Sequence, residues 1–195
     1  MEKIEINGSY LSDDVAKKIR ESFLSNNDLR LVKLRNFLSQ RSCKNLAGEI
    51  RKARFRKESI PIFYSFSASA MTTEFKKFFS SKILPGFIQK IIGKRVKGIE
   101  AKICRFSWKD YTIIDDRTVE GAGFDFIFDL TDSWDENFGG SVVYVDGTGN
   151  SISIPHSLNS LAIVERADNI QKFVKYCNHY SKGRNRDLII GKIII

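Results

Sequence analysis

The side chains able to do chemistry are few and scattered. Histidine occurs twice, at His156 and His179, and cysteine three times, at Cys43, Cys104 and Cys177. Cysteines this far apart form neither a Cys-x-x-Cys zinc motif nor an even-numbered disulfide framework, so each is expected to be a small buried residue or an incidental thiol. Cys177 and His179 share strand parity but stand too far apart along the chain for the imidazole to take the thiol proton. No nucleophile elbow supplies a serine for a Ser-His-Asp arrangement either. Nucleotide chemistry is equally unsupported: there is no GxxxxGK[ST], and Gly147-Thr148-Gly149 reads as a hairpin turn. Carboxylates gather at Asp115-Asp116 and along Asp125, Asp129, Asp132, Asp135 and Glu136. The second run fits no EF-hand spacing and is expected to be a solvated hairpin edge. Arg186 ends a basic stretch with Lys182 and Arg184.

Two kinds of element must position these groups. Ser12 followed by Asp13 and Asp14 is an N-cap signature, and Val15, Ile19, Phe23 and Leu24 then share a face, which predicts a helix over 12–25. A short strand is expected at Leu31 to Leu34, and a second helix from Ser39 to about residue 53, with Cys43, Leu46, Ala47 and Ile50 inward. Its outer face is basic (Arg41, Lys44, Arg51, Lys52, Arg54). Alternation at Ile62, Tyr64 and Phe66 predicts a strand over 60–67. Residues 72–92 read as one or two short helices broken near Pro85-Gly86 and closed by Gly93. The aromatics from Phe63 to Phe87 are expected to fill a helix-on-sheet core. From Val96 onward the pattern changes to eight short segments rich in Val, Ile, Phe and Tyr: 98–106, 111–115, 122–130, 141–146, 150–154, 160–166, 171–178 and 186–194. Their near-regular spacing reads as a barrel or jelly roll.

The fold class expected is therefore α+β, a double-stranded β-helix (jelly roll) of about eight strands with N-terminal flanking helices. Residues 1–195 form a single domain in this reading, 1–95 a mainly helical flanking layer and 96–195 the jelly-roll core. Charge divides at the same place. The whole chain carries 32 basic and 23 acidic side chains, a formal +9. Residues 1–100 hold 21 and 10 of them, so +11, and the remainder 11 and 13, so −2. That imbalance is compatible with a nucleic-acid partner for the basic half. No apolar run reaches membrane length, and Met-Glu-Lys-Ile-Glu is no secretory leader, so a cytoplasmic protein with no membrane association is expected.

Several segments fall in an order that resembles one family. They are Leu34-Arg35-Asn36-Phe37-Leu38; Arg105-Phe106 with Asp110 to Arg117; Phe124 to Leu130; Trp134 with Gly139-Gly140-Ser141-Val142; Pro155 with Asn159 to Val164; Lys172-Phe173-Val174; and Arg186 to Lys192. This order is similar to that of the iron and 2-oxoglutarate dependent oxygenases, in the prolyl 4-hydroxylase-like branch, over residues 30–195. The resemblance implies a jelly roll that oxidises a protein or peptide side chain with 2-oxoglutarate and O2. Such enzymes hold Fe(II) with two histidines and a carboxylate.

Matched residue by residue, those ligand positions are Asp115, Arg117 and Lys172. Protonated Lys and Arg offer no lone pair to a metal, so the standard iron triad is not expected here. An internal salt bridge is expected instead, with Asp115 as counter-ion to Lys172. Arg186 matches the residue that grips 2-oxoglutarate, and with Tyr111 or Thr112 it would keep a small-anion pocket for that cofactor. A relocated metal site would draw on His179, on Asp115 or Asp116, and on His156 as a further ligand, and needs a bulge to turn His179 inward. Three functions stay open. One is a family member without the triad, binding a peptide or dicarboxylate. Another is an active 2-oxoglutarate-dependent dioxygenase, a hydroxylase with a non-standard metal site. The third is a nucleic-acid-associated module.

Overall fold

The computed structural model describes residues 4–25, 29–114 and 121–195. Helix α1 (Asp13–Leu24) starts where the cap signature places it, with the Ser12 side chain accepting from Val15 N and Asp13 and Asp14 in the first turn. Ala16 and Phe23 are its buried residues, while Leu24 is exposed at the helix end. Strand β1 (Leu31–Leu34) and helix α2 (Gln40–Lys52, capped by Ser39) follow as expected, with Cys43, Leu46 and Ile50 inward. The strand expected over 60–67 is instead a hairpin of β2 (Arg56–Ile60) and β3 (Tyr64–Ser69). Pro61 interrupts the run, and Ile62 sits in the turn at φ +75°, 75% exposed. The helices α3 (Thr73–Ser80) and α4 (Ile83–Ile92) part at Ser81-Lys82. Pro85 lies inside the first turn of α4, where its missing N–H would have had no helical partner in any case. Gly93, at φ +71°, closes the helix.

Eight strands then follow among the described residues: β4 (Gly98–Phe106), β5 (Tyr111–Thr112), β6 (Gly123–Asp129), β7 (Val142–Val145), β8 (Ser151–Ile154), β9 (Ser160–Arg166), β10 (Gln171–Val174) and β11 (Arg186–Ile194). All pairings are antiparallel. The larger sheet runs β1-β9-β6-β11-β4-β3-β2, with β5 on β3, and the smaller runs β10-β7-β8. The N-terminal half thus contributes three strands to the larger sheet as well as its helices.

Strand alternation divides the interior in two. Phe124, Phe126 and Phe128 of β6, with Leu161 and Ile163 of β9, join Phe75, Phe79, Phe87 and Ile88 in a core under the helices. Ile127, Ala162, Val164, Leu188 and Cys104 face the other way and meet Val142, Tyr144 and Val174 of the smaller sheet. Phe66 belongs to this second core, and Tyr64 packs against it, rather than lying under the helices as the sequence suggested. Among the described residues no helix is long and apolar enough to cross a membrane.

Candidate functional site

The space between the two sheets holds charge as well as hydrocarbon. On β6 the residues alternating with Phe124, Phe126 and Phe128 are Asp125, Ile127 and Asp129, so both carboxylates enter the inter-sheet core. They are 0% and 3% exposed, which corrects the expectation of a solvated edge for this part of the acidic run. Asp132, Asp135 and Glu136, beyond the strand, are exposed.

Each buried carboxylate is matched by cations from other strands. Arg166 Nε, at the end of β9, donates to Asp125 Oδ2 at 3.2 Å, and Lys172 Nζ of β10 lies 3.0 Å from the same oxygen. Tyr144 of β7 adds its hydroxyl at 2.9 Å. Register explains the convergence, since Lys172 and Tyr144 are opposite one another in the smaller sheet and Asp125 lies across the gap. Burial works against ionisation of Asp125, but the charges of Lys172 and Arg166 outweigh it and hold the carboxyl below its ordinary value.

Asp129 anchors the second group. Arg186, at the start of β11 and 1% exposed, donates from Nη2 to Asp129 Oδ2 at 3.1 Å and from Nη1 to Gly140 O. Its Nε is buried without a partner. His156 Nδ1 lies 3.1 Å from Asp129 Oδ2, and Thr131 N donates to Oδ1. Burial again opposes the charge, yet the His156 contact and the Arg186 guanidinium bring Asp129 down to about 2. Gly139 and Gly140 allow their neighbours to approach closely: at Gly139, φ +82°, a Cβ would run into the Tyr176 carbonyl. Gly140 has φ +71°, and a Cβ there would lie 3.4 Å from Arg186 Cδ and 3.1 Å from Cys177 Sγ.

The residues singled out from sequence are thus distributed unevenly. Lys172 and Arg186 enter the inter-sheet core. Asp115, Asp116 and Arg117 lie outside the described residues. Tyr111 and Thr112 form β5 against β3, where Thr112 Oγ1 accepts from Val174 N and Tyr111 packs near Tyr176. Neither of them supplies a hydrogen bond to Arg186. His179 is exposed on a short 3₁₀ turn beyond β10, its ring 4.0 Å from that of Tyr180. The strand expected to carry it to 178 ends at Val174, so a bulge is not at issue. His156 is engaged with Asp129. Sequence reasoning missed Asp125, Asp129 and Arg166 as interior groups; the one signal for them is Ile127, an apolar residue on the same strand face as both aspartates. The three thiols are buried and free, and burial pushes Cys104 and Cys177 up to about 12, well away from nucleophilic use.

These side chains do not fit an iron(II) ion. Lys172, which the sequence resemblance sets at a metal-ligand position, is engaged with Asp125 at 3.0 Å, and both buried carboxylates already face cations. Among the described residues no group of three His, Cys, Asp or Glu side chains is placed to share a metal.

Residues 56–191 match the family described as oxoglutarate and iron-dependent oxygenase degradation C-term. Among solved structures, a Pseudomonas putida prolyl-4-hydroxylase superposes with a TM-score of 0.68 at 11% identity, covering 90% of this chain and 97% of that one. A Trichoplax adhaerens prolyl hydroxylase, in complex with a hypoxia inducible factor oxygen degradation domain peptide fragment, gives 0.70 at 13% identity, covering 93% and 90%. A Burkholderia pseudomallei oxidoreductase of the 2OG-Fe(II) oxygenase family gives 0.65 at 10% identity, covering 99% and 96%. The fold is therefore that of the prolyl 4-hydroxylase-like jelly rolls. No curated protein matches the chain at the level of sequence.

Proposed function

The chain belongs to the oxoglutarate and iron-dependent oxygenase degradation C-term family, and from that premise we propose that it is a non-catalytic member, which binds a protein or peptide segment without oxidising it. The observation that carries this reading is the pair of ion clusters in the barrel core. Lys172, where the family resemblance implies a metal ligand, faces Asp125, and Arg186, where it implies the cofactor grip, faces Asp129. An internal carboxylate at Arg186 does for the guanidinium what a bound dicarboxylate would do. Two further points favour a protein as the ligand. The family is described by degradation, and one structural neighbour holds a peptide.

The test is metal content after reconstitution with Fe(II) or Mn(II), together with uncoupled 2-oxoglutarate turnover. Substoichiometric metal and no turnover are expected. Stoichiometric metal with turnover would overturn the reading in favour of an active hydroxylase, whose ligands would then be sought at His179 and Asp115.

A further inference from the structure

The larger sheet has one open margin. Strand β4 pairs with β11 along its whole length, whereas on its other side β3 reaches only Ile103 to Arg105 before leading into α3. From Gly98 to Lys102 no strand among the described residues lies on that side. Alternate backbone N–H and C=O groups there face outward with no ladder to join. Beside this stretch, between β4 and the α3–α4 turn, lies a groove of about 520 Å³. Met71, Phe79 and Ala101 give it an apolar floor. Lys76, Lys82 and Lys97 stand around it, all exposed. None of the three is paired with a carboxylate among the described residues. Ile99, Ala101 and Phe79 pack with the core under the helices, so the groove is on the opposite side of the larger sheet from Asp125, Asp129 and Arg186.

We propose that this margin takes an extended segment of a protein partner as an added β-strand alongside Gly98–Lys102, and that the segment is acidic with aliphatic residues interspersed. Main-chain hydrogen bonds to the open edge supply sequence-independent attachment. Strand alternation turns every second side chain of the guest toward the groove; among these groove-facing positions, aliphatic ones meet the apolar floor and carboxylates at either end meet the three lysines, which line the same groove. A second copy of this chain is a poor occupant, because edge-to-edge pairing would bring the same lysines together. The inference rests on the binding role above only in choosing a protein as the ligand. What the barrel core holds does not enter.

The experiment titrates the full chain with a short synthetic peptide whose every second residue is Val or Leu in the middle and Asp or Glu at either end, with Thr at the positions between, while backbone amide exchange is followed. Saturable binding is expected, with protection centred on residues 98–102. Changing both Lys76→Glu and Lys97→Glu is expected to weaken it by about tenfold, and so is N-methylation of alternate peptide amides in one of the two registers. These lysines are exposed, and the fold of the double variant is checked by circular dichroism. Insensitivity to N-methylation in both registers, or protection elsewhere, overturns strand addition. Equal binding by a peptide carrying Lys for Asp and Glu overturns the acidic chemistry. Self-association through the same edge overturns the choice of occupant. No binding of the acidic peptide overturns the proposal while leaving the closed-core reading intact, since that is measured by metal and turnover.

Discussion

Asp125 is a single buried carboxylate facing Arg166, Lys172 and the Tyr144 hydroxyl, so its removal and the removal of a cation are not equivalent. Asp125→Asn takes away the charge opposite an Arg166 side chain that is 2% exposed, and is expected to cost about 3–5 kcal/mol in urea denaturation. Lys172→Met removes the cation with some access to water, 17% exposed, and leaves Asp125 facing Arg166 and the Tyr144 hydroxyl. Its cost is expected to be well below that of Asp125→Asn in the same denaturation. Asp129 adds a pH dependence. Its folded value, about 2, lies below the ordinary 3.8, so the stability it contributes is complete above pH 4 and is lost as pH falls toward 2. The loss is about 2 kcal/mol. Circular dichroism against pH should show this acid limb, and Asp129→Asn should flatten it at the expense of stability at neutral pH. Both aspartates were visible in the sequence as acidic positions, but not as interior ones. A carboxylate in an apolar strand has the same spelling whether its face meets water or a second sheet.

Among the elements, the connection into β9 shows how a loop residue sets register. Asn159, buried at φ +57°, accepts from Leu38 N and donates to Leu38 O at 2.9 and 2.8 Å, while Phe37 N donates to its carbonyl. It ties the turn after β1 to the start of β9, the pair that begins the larger sheet. Asn159→Ala would leave both Leu38 groups without this partner and put a less tolerant residue at positive φ. A loss of about 2–3 kcal/mol is expected, measurable as a fall in the denaturation midpoint. The matching of elements to sequence was uneven for physical reasons. β4, β9 and β11 were legible to their end residues because each is a long apolar or alternating run. β2 was not, since Arg56, Lys57 and Ser59 are exposed on an edge strand and leave no hydrophobic period. The basic outer face expected on α2 corresponds to side chains that are exposed at Arg41, Lys44, Arg51 and Lys52.

At the scale of the whole molecule, the two halves distinguished by charge are not two layers. Strand β1 pairs with β9, and β3 with β4, so the larger sheet crosses the boundary near residue 96. The structural relatives share only 10–13% of their residues with this chain yet superpose over nearly all of it. Such a fold is specified by the alternation of apolar positions and by turns more than by particular side chains. That is why the jelly roll, its flanking helices and the family resemblance could be read from the sequence alone: apolar period, caps and breaks are properties of neighbours along the chain. The cation at Lys172, where the family resemblance implies a metal ligand, and the matching arginine at Arg186, where it implies a cofactor grip, could be read the same way. Which anions face them could not. Lys172 meets a carboxylate 47 residues away and Arg186 one 57 residues away, across a sandwich whose strand order and register are set by the closing of two sheets. Only the tertiary structure brings those charges to hydrogen-bonding distance, because an ion pair is decided by position in space and local sequence carries no record of it.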